Sequence, residues 1–207
     1  MKIDISVNNT HFKNVYPHTY GFKQGTLMVI KDNDVQSSFV SMDLHFGTHL
    51  DSPSHWIEGG KNVCDLDLEL FTGVCHIITI DNTDRLSKEV LMEILPIDKL
   101  KDMNRIFFRC NSHIELDAEF NPNFVGLVDS GAQYLVDNGI EVVGIDYLSI
   151  ESYRSNGDAH KTLLRNDVLI YECLDLKNIE DGSYHYNGYP ILMDAEASSV
   201  RMIIEKI

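Results

Sequence analysis

Four side chains able to bind a first-row metal ion fall within the eleven residues His45-Phe46-Gly47-Thr48-His49-Leu50-Asp51-Ser52-Pro53-Ser54-His55. Neutral imidazole and carboxylate are the ligands that suit zinc and its neighbours. Gly47 permits backbone angles that other residues avoid, and Pro53 stiffens the exit before His55. Residues 48–53 read as a tight loop, which can turn several ligands inward at once. The spacing of His45 and His49 also suggests the helix of an H-E-x-x-H zinc site. No Glu follows His45, however, and Gly47 and Thr48 are poor helix residues. A loop of surface histidines, with Asp51 as a turn residue, would account for each residue singly but not for all four together.

Residues 168–174 form a second segment of interest. Both faces of a strand there are apolar apart from Glu172. An ionised glutamate in such a strand is costly unless it is paired or metal-bound. Arg109 or Arg201 could pair with it. So could a metal ion shared with His160, twelve residues earlier.

These segments need elements to position them. Residues 39–46 alternate, with Val40, Met42, Leu44 and Phe46 opposite Ser41, Asp43 and His45, so His45 is expected near a strand's end. Further strands are expected at residues 26–30, 75–80, 106–110, 142–145, 168–174 and 200–204. Helices are expected at residues 87–95, after a Ser130/Gln133 capping box, and from Asp158 as N-cap through Leu164, with Gly139 as the stop of the second. Strands and helices mix without a strict βαβ rhythm, which predicts one α/β domain with a mixed sheet over residues 1–207.

At this point the chain resembles a known family, the cyclase-type metal hydrolases, which include bacterial kynurenine formamidase (arylformamidase) and isatin hydrolase. Their signature H-x-G-T-H-x-D-x-P-x-H is complete from His45 to His55, and His160 and Glu172 stand at the family spacing. Gly144-Ile145-Asp146 and Glu172-Cys173-Leu174-Asp175-Leu176 resemble two further family segments. The resemblance implies a mixed α/β domain of the swivelling β/β/α type, usually a homodimer. It implies that His45, His49 and Asp51 bind one metal, and that Asp51 bridges to a second held by His160 and Glu172. Glu172 would reach both ions. Zinc, two ions per subunit, is the expected cofactor, with manganese as another. His55 would be the proton donor and acceptor while metal-bound hydroxide attacks an amide carbonyl.

The family places an aromatic residue before Pro-Gly to hold an aryl substrate. Here that run is Tyr16-Pro17-His18, so Tyr16 is the substrate-binding candidate and His18 replaces a turn glycine. His113 and Cys110 lie where relatives tend to carry Thr or Ser. The implied substrate is a small aryl amide such as N-formylkynurenine. A cyclic amide or lactone, or a metal-holding binding protein without turnover, are the other readings. His11, His76 and His185 show no visible partners and read as structural or solvated.

Composition bounds the rest. Seventeen basic residues against thirty-two acidic ones give a net charge of −15, which repels phosphate backbones and disfavours nucleic acid. The start, Met1-Lys2-Ile3-Asp4-Ile5-Ser6, does not read as a signal peptide, and no stretch approaches the roughly 18–20 apolar residues of a membrane span. A cytoplasmic protein is therefore expected. The four cysteines form no C-x-x-C pair, and three sit in apolar runs as buried free thiols.

Overall fold

Alternation along the central strands sorts their side chains onto two apolar faces. A computed structural model describes residues 1–110 and 119–207 of the chain. His113 lies outside the described residues. Ile106, Phe108, Val143, Ile145 and Ile170 face one cluster, while Phe107, Val142, Leu169 and Tyr171 face another. The first is covered by the helices Lys88–Ile94, Asp129–Asp137 and Asp158–Arg165. Gly144 falls on the second face, where a Cβ would come within 2.6 Å of the Phe107 ring.

Among the described residues the main sheet has nine strands. Its order is Lys2–Asp4, Ile203–Lys206, Gly182–Asn187, Thr72–Thr79, Arg105–Arg109, Val142–Ile145, Leu169–Glu172, His49–Asp51 and Ala197–Ser199. The four strands from Thr72–Thr79 to Leu169–Glu172 run parallel, and antiparallel strands extend both sides. The mixed α/β architecture expected from the sequence is present. A separate ribbon pairs Phe22–Met28 with Ser37–Met42 and exposes Leu27, Ile30, Phe39 and Val40 around it. No helix of the described residues is long and apolar enough to cross a membrane.

Several local expectations change. The strand expected over residues 39–46 stops at Met42, because the Asp43 carboxylate accepts the His45 N–H at 3.0 Å and closes a turn. The expected loop at residues 48–53 contains the strand His49–Asp51, buried and paired on both sides. Its partners lie more than a hundred residues away, so no local pattern announces it. The second helix starts at Asp129 after Val128, not at a Ser130 cap. Ser130 Oγ instead accepts the Lys88 N–H, and Gln133 Nε2 donates to Asp137. Gly157, at φ 77°, caps the third helix, and Asp158 is its first residue. The strands Lys2–Asp4, Gly182–Asn187 and Ala197–Ser199 were not expected. His18 adopts φ 71°, the left-handed conformation that favours glycine.

The strand Val142–Ile145 ends at Asp146, whose Oδ1 accepts the Cys110 N–H at 2.8 Å while Oδ2 has no hydrogen-bond partner. Burial pushes its carboxyl up to about 7. The unfolded side chain ionises near pH 4. Between those values the folded state holds a proton that the unfolded state has lost, so stability falls as pH rises through this window. Replacing Asp146 by Asn removes that term. Relative to wild type, the variant should gain about 1.4 kcal/mol per pH unit between roughly pH 4 and 7. Urea denaturation across that range measures it, and parallel curves for the two proteins would refute it.

Candidate metal centre

Register places the first ligands. In the antiparallel pair, His49 lies opposite Glu172 and Asp51 opposite Ile170. Leu50 and Tyr171 point into the core, so His49, Asp51 and Glu172 share the other face. Glu172 ends a parallel strand, and the carboxyl edge of a parallel sheet is where ligands bind in such folds. The turn after Met42 brings His45 over this edge, and the helix Asp158–Arg165 brings His160. Thus all five expected ligands converge. Two triples, His45/His49/Asp51 and Asp51/His160/Glu172, each offer ligand atoms within 4.8 Å of one another.

The two oxygens of Asp51 divide between these triples. Oδ1 lies 2.9 Å from His45 Nδ1 and 3.4 Å from His49 Nε2, and Oδ2 lies 3.8 Å from His160 Nε2. Glu172 also spans both, with Oε2 3.5 Å from His49 Nε2 and Oε1 3.3 Å from His160 Nε2. Despite these distances, both Asp51 oxygens and His49 Nε2 are buried without a hydrogen-bond partner. Groups so placed are costly unless something else satisfies them. Clustered, buried and unpartnered nitrogen and oxygen atoms of this kind suit a divalent cation.

The outer partners set the tautomers. His49 Nδ1 donates to the Gly47 carbonyl at 2.8 Å, which leaves the Nε2 lone pair for a cation. His160 Nδ1 lies 2.8 Å from Glu151 Oε2, a carboxylate–histidine pair of the kind that orients metal-bound imidazole. Burial opposes charge on Glu151, but hydrogen bonds from the His160 ring and backbone and from Ser155 bring it down to about 2. Burial likewise opposes charge on His160, yet Glu151, Glu172 and Asp51 raise it to about 10. The same contest raises His49 well above the ordinary imidazole value, through Asp51, Cys173 and Glu172. Buried carboxylates thus favour positive charge here, as protons on the imidazoles or as a metal cation in their place.

Neither of the arginines that could pair with Glu172 does so. Arg109 pairs with Asp181 and Arg201 with Asp4, and Glu172 Oε1 instead accepts the Ile150 N–H at 2.7 Å. His76 also has a partner, Ser183 Oγ at 3.1 Å. Cys75, Cys110 and Cys173 are buried and form no disulfide among the described residues, as expected, and Cys64 is exposed.

His55 stands apart from the ligand triples. It sits in the short 3-10 turn Pro53–His55, with its ring centroid 4.2 Å from that of His45 and 6.0 Å from that of His160. Its ring makes no hydrogen bond with any described residue, and burial lowers its pKa, which keeps it neutral and able to accept a proton. It opens on a cavity of about 330 Å³ lined also by Tyr16, Trp56, Tyr153, Glu151 and His160. Tyr16 meets Tyr153 and Phe120 edge-on, at 5.5 and 5.4 Å.

Sequence reasoning missed Glu151, Trp56 and Tyr153. Glu151 had a signal: it follows the apolar run Tyr147-Leu148-Ser149-Ile150, where an acid needs a partner. Trp56 had one too, as the chain's single tryptophan directly after His55.

The fold and the two ligand triples define a mixed α/β protein with a candidate metal-binding centre. A structure described as a potential metal-dependent hydrolase with cyclase activity superposes with a TM-score of 0.81 at 25% identity, covering 99% of this chain and 96% of its own. Isatin hydrolase A from Labrenzia aggregata shares the fold, with a TM-score of 0.80 at 17% identity over 99% of this chain and 93% of that one. Residues 3–152 match the family model described as putative cyclase, and the chain belongs to the cyclase family. Cyclase-like protein 3 of Oryza sativa subsp. japonica is 36% identical over 180 residues, 82% of this chain and 66% of that protein. Kynurenine formamidase of Bacillus cereus (strain ATCC 10987 / NRS 248) is 31% identical over 170 residues, 81% of this chain and 79% of that protein. The chain thus spans slightly less than two thirds of its rice relative's length.

Proposed function

We propose that this protein is a metal-dependent amidohydrolase that cleaves a small aryl amide in an arylformamidase-type reaction. The observation that supports it is the pair of ligand triples sharing Asp51, beside a His55 left off both and facing the aromatic cavity. The relationship to kynurenine formamidase supports the same chemistry. His45, His49 and Asp51 would hold one ion, and Asp51, His160 and Glu172 the other. Zinc suits this nitrogen and oxygen set, and manganese is the second choice. Two divalent ions so held would acidify a water molecule and polarise a carbonyl.

The chain's own residues do the rest. The His55 imidazole takes the proton that water loses and returns it to the departing nitrogen. Glu151 holds the His160 ring in one tautomer and one orientation. Tyr16 contributes to the wall against which an aryl group packs. The single domain is read as a homodimer, supported by the exposed apolar side chains around the Phe22–Met28 ribbon.

Metal analysis and a substrate screen test this reading. Purified protein should carry close to two ions per subunit and should hydrolyse formanilide to aniline and formate, and a chelator should abolish the reaction. Isatin opening without formanilide turnover would replace the linear amide with a cyclic one. Turnover that survives complete chelation would overturn the metal mechanism.

A further inference from the structure

Trp56 lines the cavity and remains 40% exposed. Its ring centroid stands 5.6 Å from that of His160, with the planes 32° apart. It is gripped by its surroundings. Gly157 lies against the indole so closely that a Cβ there would come within 2.3 Å of it. Lys161 Nζ sits 5.2 Å from the ring centroid and is itself tied to the Asn156 carbonyl at 2.7 Å. The Tyr153 ring, elsewhere on the same cavity, is braced by Phe120 at 4.9 Å and Tyr16 at 5.5 Å. A braced aromatic surface that stays open to a cavity is spare stacking area, and immobilised rings lose little entropy when a ligand binds.

We propose that Trp56, held by Gly157 and Lys161, is the specificity-determining wall of an aryl slot completed by Tyr153. The slot selects amides bearing a planar aromatic group over alkyl amides. This rests on the amidohydrolase reading for its catalytic arm, and its binding arm is independent of that reading.

Because Trp56 is the chain's single tryptophan, its fluorescence reports on the slot directly. Zinc-loaded wild-type protein is titrated with phenylurea and with methylurea, which resemble the two classes of amide. Phenylurea should change the emission saturably and methylurea should not. In parallel, kcat and KM are measured for formanilide and N-methylformamide. Trp56→Leu should lower the aryl-over-alkyl ratio of kcat/KM about tenfold, mainly through KM, as expected for loss of one stacked aromatic partner. Trp56→Phe should keep most of the preference. Absence of a saturable response to phenylurea, or an unchanged ratio in folded Trp56→Leu, overturns the slot. If wild type hydrolyses neither formamide but phenylurea still perturbs Trp56, the amidohydrolase reading fails and the slot stands.

Discussion

Asp51→Asn is expected to empty both metal positions at once and to lower kcat/KM on the order of a thousandfold or more. The side chain keeps its size and its place in the strand, so the fold should persist. What changes is charge and ligand power. Oδ1 faces His45 and His49 while Oδ2 faces His160, so one substitution touches both triples. An amide offers a single weak oxygen where a carboxylate offers two charged ones. Metal analysis should show loss of both ions, not one. Differential scanning adds a second readout. A ligand that binds only the folded state raises its stability, so a chelator should lower the melting temperature of wild type and leave that of Asp51→Asn unmoved. Retention of one full ion per subunit would show that the triples are filled independently and that Asp51 is not shared.

His55→Ala should leave the metal content at the wild-type level and lower kcat by about 10²–10⁴-fold, the usual worth of a positioned acid–base group. The reason is geometric. His55 has neighbours among the ligands, its ring 4.2 Å from His45, yet belongs to neither triple. Its neutral form, favoured by burial, is the form that can accept a proton. The split between intact metal and lost turnover distinguishes a proton carrier from a ligand. Loss of an ion in His55→Ala would make it a ligand, and unchanged kcat would remove it from the reaction. With Asp51→Asn the two variants form a contrast: one removes the metals and the reaction together, the other the reaction alone.

Much of this site was legible in the sequence because its ligands are close-set or chemically anomalous. His45, His49, Asp51 and His55 crowd into eleven residues, and Glu172 is an acid in a buried apolar strand. Glu151 was harder. Its meaning depends on His160, nine residues on, being turned back toward it by the helix Asp158–Arg165. The capping box at Ser130 failed for a related reason. Ser130 Oγ is taken by the backbone of Lys88, a partner from another helix that no local pattern includes.

By itself the sequence determined which atoms could bind metal, that the central strands are buried, and that a mixed sheet would carry them. These depend on residue type and short-range periodicity, which act within a few positions of the chain. Only the tertiary structure decided that His49–Asp51 is a strand, because three residues become a strand through their partners. That pairing sets His49 opposite Glu172, turns Asp51 to the same face, and leaves its two oxygens to be divided between two ligand sets. Long-range register is paid for by contacts across more than a hundred residues, and it is register that turned a list of possible ligands into two candidate triples with a shared carboxylate.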